Sequence, residues 1–303
     1  MTRFSLIKKT VKACIPYGLY RLLISKSKEG IRGKENHKTI LEMLSKNYSS
    51  IISEYKNLQD ISIVSELPYP VWVSWWQGET AMPEIVRICH SQLIKKANGH
   101  KINLITKDNY KNFILLPEYI LKKVDKGLIA LNKLLNIIRV MLLSKYGGLW
   151  IDSTVYVSQD LPDFNSDLFS LRRLPDNDLI SECRWSTYLL YAGKSRILFE
   201  FLRDIHLAYW KNNDRVIDYV LFDYFIALAY EYIPTVQKII NNIPFSNPNV
   251  RWLENNMNQE YNEQCFSELM NSTQFHKLSH KFALKEKTDD GLLTYYGYLR
   301  NNT

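Results

Sequence analysis

The sequence predicts an α/β protein in which a parallel or mixed sheet is flanked by helices. Short apolar stretches alternate along the chain with longer stretches that repeat apolar residues at three- and four-residue steps. The composition supports a folded protein, because 46% hydrophobic and 23% charged residues are ordinary globular values. A chain of 303 residues can bury a substantial core, in one large domain or two small ones.

Local patterns predict the elements in order. Strands are expected at 70–75, 101–106, 149–157, 167–171 and 188–191. Helices are expected at 39–58, from near Pro83 onward, and at 133–145, 195–212 and 218–232. Pro83 and Glu84 favour a helix start, because proline fits the first turn and a carboxylate suits its positive end. Residues 244–264 are polar and rich in asparagine, which predicts a loop or an insertion.

The positive charge of the chain is concentrated at its N-terminus. The net charge is +8, and residues 1–38 contain ten Lys or Arg against two Glu, so the remainder is neutral and a nucleic-acid binder is disfavoured. Residues 1–28 place apolar side chains at helical spacing between lysines, which suits an anionic membrane surface. The alternative is a helix packed on the domain with solvated lysines. Residues 25–38 are predicted to be a polar linker.

The cysteine pattern favours a reducing compartment. Four cysteines lie far apart and form no CxxC motif, which argues against a zinc site and against a disulfide framework. No signal peptide with a cleavage site is evident, and no apolar run approaches the roughly 18 residues of a membrane span. We therefore expect a cytoplasmic protein that is peripheral on the inner face of the cell membrane.

The segment Leu142–Val157 is the centre of the predicted site. A helix ends at Tyr146-Gly147-Gly148, a short apolar strand follows, and Asp152 comes directly after it. Ligands of α/β proteins bind at the carboxyl ends of the strands, and a carboxylate there needs a partner. Arg139 and Asn136, on the preceding helix, are placed to reach the same edge. The alternative is that Asp152 only caps a turn with Ser153 and Thr154.

These residues resemble a known motif. The run Asn136–Val157 is similar to the central motif of bacterial capsular polysaccharide synthesis glycosyltransferases, a group related to glycosyltransferase family 32. That motif is Asp-x-x-Arg, a leucine-rich stretch, Tyr-Gly-Gly, an aromatic or aliphatic pair, and Asp-x-Asp or Asp-x-Thr. The chain departs from it where Asn136 replaces the usual Asp and Thr154 replaces the second Asp. Pro70–Val86 resembles the first strand and turn of the family, and His276–His280 weakly resembles a segment near its end.

The resemblance implies a GT-A-like (Rossmann-type) nucleotide-sugar transferase domain at 61–303. The charge and apolar pattern of the N-terminus predicts a basic amphipathic helical region at 1–60 that associates with the membrane. The implied reaction moves a hexose from a nucleotide sugar, UDP-linked in the leading interpretation, to a lipid-linked saccharide acceptor with retention of configuration. Two alternatives remain at this point: a sugar-phosphate transferase of capsule assembly, and a non-catalytic membrane scaffold with a degenerate site. The sequence leaves a homo-oligomer open.

The resemblance also implies roles for individual residues. Trp72 is expected to stack on the base, with Trp75 as the second choice, while Asp152 and Arg139 are the expected catalytic residues. The further substrate-binding residues are expected to be Gln77, Asn136, Ser153, Thr154, His280 and Lys281. No nucleophile is evident, and Glu182 and Asp223 are the carboxylates to test.

A divalent cation, Mn²⁺ or Mg²⁺, is expected at Asp152, since hard cations prefer oxygen ligands. Thr154 supplies no second carboxylate. Three alternatives therefore stay open from the sequence: weak metal binding, metal binding through water, or no metal binding. Lys277 and Lys281 are the candidates for compensating positive charge.

Deleting residues 1–28 should abolish binding to anionic vesicles and slow transfer to a lipid-embedded acceptor, while transfer to a soluble acceptor persists. The deletion removes seven positive charges and an apolar stripe but none of the motif residues. Vesicle sedimentation across a salt series checks this, because exposed charges are screened as salt rises. A truncated protein that fails to fold, or a full-length protein that ignores anionic vesicles at low salt, would contradict it.

Overall fold

A five-stranded mixed sheet forms the centre of the protein in the computed structural model, which describes residues 34–58, 67–173, 179–193 and 195–302. Its strand order is β2-β1-β3-β6-β5, and β1 pairs in parallel with β2 and β3, whereas β6 is antiparallel to β3 and β5. The strands are β1 Val71–Ser74, β2 Ile102–Ile105, β3 Gly148–Ile151, β5 Leu168–Ser170 and β6 Leu189–Ala192. A separate antiparallel pair is formed by β4 Val155–Val157 and β7 Phe275–Lys277. The predicted mixed α/β fold is confirmed.

Helices flank the sheet. In chain order they are α1 Lys34–Asn47, α2 Ser49–Lys56, α3 Glu84–Lys95, α4 Glu118–Asp125, α5 Leu131–Tyr146, α6 Ile197–Asn212, α7 Leu221–Tyr232, α8 Pro234–Asn241, α9 Trp252–Asn256, α10 Glu263–Ser272 and α11 Tyr295–Asn301. The segment 244–264, predicted as a loop, contains the short α9 and the start of α10. Within the described ranges, no helix combines the length and apolarity needed to cross a bilayer.

The sheet has a distinct core on each face, because successive side chains of a strand point to opposite sides. On one side, Trp72 of β1 and Trp150 of β3 pack into a cluster built with helices α1, α2 and α5–α8. On the other, Val71 and Val73 join Leu149 and neighbouring apolar residues in a second cluster. A third cluster holds α3 against α9, α10 and α11.

Helices α1 and α2 belong to this core, so the described part of the predicted 1–60 region is not separate from the domain. The expected single helix at 39–58 is divided at Tyr48, and its apolar stripe packs against α6 and α7. The Tyr55 hydroxyl donates to Asp204 Oδ2 at 2.5 Å, and Asn213 Nδ2 donates to the Tyr48 hydroxyl at 3.0 Å. The predictions for residues 1–28, and for the linker up to residue 33, lie outside the described residues. The end of the predicted linker, residues 34–38, is helical instead and begins α1.

The junction of α5 and β3 leaves no room for a side chain at Gly148. Gly147 and Gly148 both have positive φ angles, +67° and +83°, which allow the chain to reverse from the helix into the sheet. A Cβ atom on Gly148 would overlap the carbonyl oxygen of Pro70, the acceptor for the Leu149 N–H at 2.9 Å. Glycine at 148 therefore sets how closely β3 can pair with β1.

Gly148→Ala should lower the free energy of unfolding by about 4 kcal/mol or more, because the strands must separate to admit the methyl group. Gly127→Ala is the matched control, since Gly127 has a φ of +68° with open space around its Cβ direction. It should cost only about 1–2 kcal/mol of left-handed strain. Urea unfolding of both variants measures the difference. Equal losses of unfolding free energy would show that the close approach of Gly148 to Pro70 does not affect stability.

Candidate functional site

A cavity of about 720 Å³ lies at the carboxyl ends of the parallel strands β1 and β3. The residues that follow these strands, Trp75–Gln77 and Asp152–Thr154, form part of its wall. The cavity-facing side of α5 contributes Asn136 and Arg139, and the residues around the start of α7 form the far end. The parallel pairing of β1 and β3 explains why these separate turns meet at one edge.

Asp152 makes polar contacts with three other residues that line the cavity. Its Oδ1 accepts hydrogen bonds from Arg139 Nη2 at 3.1 Å and from Trp150 Nε1 at 3.0 Å, and Lys277 Nζ lies 3.4 Å from its Oδ2. Burial raises the pKa of this carboxyl, but the charges of Lys277 and Arg139 and the Trp150 hydrogen bond outweigh it and hold the pKa below its usual value. Asp152 therefore stays ionised at neutral pH, and 30% of its side chain remains exposed.

The orientation of the Arg139 guanidinium is fixed by two aromatic rings and a backbone hydrogen bond. The group lies 4.7 Å from the ring centroid of Trp150 and 5.2 Å from that of Phe222. Its Nη1 donates to the Thr187 carbonyl at 2.7 Å, and only 8% of the side chain is exposed. A planar guanidinium stacked in this way loses little freedom when it binds an anion or a hydroxyl group.

Lys277 reaches the same turn from a distant part of the chain. Strand β7 pairs with β4, which places Lys277 opposite Val155, and the Leu278 N–H donates to the Thr154 carbonyl at 2.8 Å. The Lys277 ammonium donates to Thr154 Oγ1 at 2.5 Å, and 14% of the side chain is exposed. The backbone pairing thus fixes a cation directly beside Asp152.

Aromatic side chains line one end of the cavity. Trp75 and Trp76 are half-buried, and Gln77 beside them is exposed. The indole of Trp75 donates to the Ala81 carbonyl at 3.1 Å and meets the His280 ring edge to face at 5.6 Å. His280 and Lys281 are exposed at this rim.

The predicted contact of Trp72 with a base is corrected by the structure. Trp72 is 3% exposed and does not line the cavity. Its ring packs 5.4 Å from Phe113 and 5.5 Å from Tyr146, and its Nε1 donates to the Gly147 carbonyl at 2.9 Å. The residue lies within β1 rather than after it, so alternation turns its side chain towards the helical layer.

The remaining predicted site residues all line the one cavity. They are Trp75, Gln77, Asn136, Arg139, Asp152, Ser153, Thr154, His280 and Lys281. Of the two carboxylates considered as nucleophiles, Asp223 lines the cavity, whereas Glu182 does not and pairs with Arg184 at 2.9 Å. Burial raises the pKa of Asp223 to about 6, against the opposing effects of a Trp185 hydrogen bond and the Arg139 charge.

The far end of the cavity, where Lys133 meets Tyr219, was not predicted from the sequence. The Lys133 ammonium donates to the Tyr219 carbonyl at 2.5 Å and lies 4.7 Å from the ring centroid, and burial lowers its pKa. Tyr219 is 70% exposed. The spacing of Lys133, Asn136 and Arg139, three residues apart, was an available signal that one helix face supplies several polar groups.

The expected Mn²⁺ or Mg²⁺ does not fit the oxygen atoms at Asp152. Both of its carboxylate oxygens, and Thr154 Oγ1, are engaged by protein donors. Among the residues with described positions, no cluster of three or more His, Cys, Asp or Glu side chains could hold a metal ion. The cavity wall carries four cationic side chains and two carboxylates, the reverse of the balance that a divalent cation needs.

Comparison with known proteins identifies a family. No curated protein sequence matches the chain. Similar solved structures include the PaToxG glycosyltransferase, with a TM-score of 0.40, 12% identity and coverage of 68% of this chain and 81% of that one. Another is the apo structure of the bifunctional WbbM glycosyltransferase, with a TM-score of 0.39 and 8% identity, covering 81% of this chain and 50% of that one. Likenesses at these TM-scores establish neither a shared fold nor a shared function.

The model of the family described as capsular polysaccharide synthesis protein matches residues 21–299, nearly the whole chain. This match confirms the capsule-synthesis family that the segment Asn136–Val157 predicts. A specific relation to glycosyltransferase family 32 stays a prediction. The chain belongs to the capsular polysaccharide synthesis protein family.

Proposed function

We propose that the protein is a GT-A-like glycosyltransferase that moves a hexose from a nucleotide sugar, UDP-linked in this proposal, to a lipid-linked precursor of a capsular or surface polysaccharide. Membership of the capsular polysaccharide synthesis family supports the biological role. The observation that carries the chemistry is the cavity at the carboxyl edge of the sheet, where Asp152 is fixed between Arg139 and Lys277. Open α/β sheets bind nucleotide ligands at this edge.

The cavity has an aromatic surface and a cationic centre, and a nucleotide sugar has a part that suits each of them. Trp75 and Trp76 offer ring surfaces for a base, whose stacking tolerates any base identity. The cationic centre suits the diphosphate, because its negative charge grows as the bond to the sugar breaks. The volume of about 720 Å³ falls within the ~300–1,000 Å³ of small-molecule sites.

In the proposed reaction, the bond between the anomeric carbon and the donor phosphate oxygen breaks, and a bond between that carbon and an acceptor hydroxyl oxygen forms. The nucleoside diphosphate leaves and takes up the proton of the acceptor hydroxyl group. Arg139 binds a sugar hydroxyl or a phosphate oxygen through its remaining donors. Asn136, one turn earlier on α5, supplies neutral hydrogen bonds where related motifs carry a charge, which affects the choice of sugar. Asp152 holds both cations and contacts the donor sugar through its exposed part.

We further propose that the acceptor enters at the end formed by Leu131 and Tyr219, which are 37% and 70% exposed and offer an apolar, aromatic surface. Asp223 lies on this wall, and a pKa of about 6 leaves it ionised for the most part at neutral pH. An ionised carboxylate is what a double-displacement reaction with retention requires as its nucleophile. The product would then carry an α-linkage, as the family resemblance implies.

The proposed location of the protein is the cytoplasmic face of the cell membrane, where residues 1–28 would bind anionic lipids. The concentration of positive charge in residues 1–38 supports this position.

A screen of nucleotide sugars for donor hydrolysis tests the function, with Asp152→Asn as the internal control. We expect the wild type to release a nucleoside diphosphate from at least one donor. Asp152→Asn should slow release by about 10²–10³, because the charge that aligns the two cations is lost. The variant should still fold, since the asparagine oxygen still accepts from Arg139 and Trp150, but it should unfold at a lower temperature because Arg139 and Lys277 lose their counter-charge.

The products decide between the proposal and its alternatives. Release of a nucleoside monophosphate would indicate a sugar-phosphate transferase instead. Neither product from any donor, together with no binding of any nucleotide, would indicate a scaffold. Wild-type turnover in Asp152→Asn would remove Asp152 from the mechanism.

Trp75→Ala should weaken nucleotide binding about tenfold or more while changing kcat little, because stacking on a base acts equally on ground and transition states. Trp252→Ala is the matched control, since Trp252 is also half-buried and lies outside the cavity.

Trp72→Ala should instead lower the free energy of unfolding by about 3–5 kcal/mol, as loss of a core aromatic ring does. Fluorescence titration and urea unfolding measure both effects. Selective loss of nucleotide affinity in Trp72→Ala would contradict the assignment.

A further inference from the structure

In the turn Asp152-Ser153-Thr154, one cation already bridges the side-chain oxygens of the first and third residues. Lys277 Nζ lies 2.5 Å from Thr154 Oγ1 and 3.4 Å from Asp152 Oδ2. A threonine supplies no charge, so the turn itself carries a single negative charge. Because Arg139 already pairs with this carboxylate, an ammonium group fixed to the chain adds one further positive charge, where a divalent ion would add two.

The position of Lys277 is built into the backbone. The β4–β7 pairing sets Lys277 beside Val155, immediately after the turn, and a second backbone hydrogen bond joins Leu278 to Thr154. The Tyr188 ring centroid lies 5.4 Å from the ammonium and limits its movement on another side. The cation is therefore in place before any ligand arrives, at no further cost in ordering.

An ammonium group has three hydrogen-bond donors. Thr154 and Asp152 engage two of them, which leaves one for a ligand in the cavity that Lys277 lines. Arg139 lies on the opposite side of the same carboxylate. The two carboxylates of the cavity, Asp152 and Asp223, are outnumbered by four cationic side chains, so positive charge remains for an anionic ligand.

We propose that Lys277 takes the place of a divalent cation in this protein, and that it binds the diphosphate of the donor without any metal ion. The inference rests on the proposed function and names the group that neutralises the leaving diphosphate. Lys277 is then a substrate-binding residue, contacting a phosphate oxygen while Asp152 and Thr154 hold it in position.

The test measures the Kd of UDP, ADP, GDP and CDP, and of the matching monophosphates, by calorimetry on the full-length protein in EDTA and in Mn²⁺. The wild type should bind its preferred diphosphate equally well in both. Lys277→Met, which keeps the stem and removes the charge, should weaken diphosphate binding by about tenfold or more and affect the monophosphate less. Lys277→Arg should retain most of the affinity, and Lys96→Met, outside the cavity and paired with Asp160, should leave it unchanged.

A second signature separates a binding role from a structural one. In Lys277→Met, Asp152 Oδ2 and Thr154 Oγ1 lose their donor and become available oxygen ligands, so Mn²⁺ should restore part of the diphosphate affinity. If Lys277→Met fails to fold, Mn²⁺ restores no diphosphate affinity, and thermal unfolding detects the failure. Lys277→Arg then provides the test, through the diphosphate affinity that it retains in EDTA.

Two results would overturn the inference while leaving the glycosyltransferase proposal standing: a wild-type protein that binds the diphosphate only with Mn²⁺, or a Lys277→Met protein that binds it as tightly as the wild type in EDTA. A protein that binds no nucleoside diphosphate under either condition would overturn both.

Discussion

The charge of Asp152 has to be balanced inside the protein, and the surrounding architecture meets that constraint. A carboxylate at the end of a buried strand without a partner costs several kcal/mol, so its cations must be delivered with the fold. Arg139 comes from α5 and Lys277 from β7, one on each side of the carboxylate. The packing of α5 against the sheet and the pairing of β7 with β4 are therefore as much conditions for this charge cluster as for the hydrophobic core.

Core and site share side chains. Trp150 belongs to the apolar cluster between the sheet and the helices, yet its ring lies against Arg139 and its Nε1 donates to Asp152. Phe222 likewise packs in this cluster at the start of α7, and its ring also lies against Arg139. The orientation of the guanidinium thus depends on tight packing, and loosening of the helical layer would reach the site without touching a polar residue.

Local patterns predicted much of this arrangement, because burial imposes its period on the sequence. The alternation in 101–106 corresponds to β2, the stripe at 133–145 to α5, and the carboxylate after an apolar strand to the edge that holds the cavity. Trp72 could not be assigned in this way. Every residue of β1 is buried, including the polar Ser74, so the strand lacks the alternation of exposed polar and buried apolar positions that indicates which face a side chain takes.

Two tertiary contacts could not be predicted from local sequence patterns either: the packing of α1 and α2, and the pairing of Lys277 with Asp152. The apolar stripe of α1 and α2 looks the same whether it covers lipid or, as here, α6 and α7. The partnership of Lys277 with Asp152 spans 125 residues, and no local pattern specifies a pairing at that distance. Weak similarity in His276–His280 drew attention to the segment, but only the β4–β7 register explains its position.

That long separation has a consequence for synthesis of the chain. A ribosome produces Asp152 and Arg139 well before Lys277, and chains begin to fold from their N-terminal parts. Until β7 emerges and pairs with β4, the turn lacks one of its two cations and the cavity lacks part of its wall. An unfinished or prematurely terminated chain would therefore keep most of its helical layer but have no completed binding site. In this way the architecture restricts a complete cavity to chains that have been synthesised through β7.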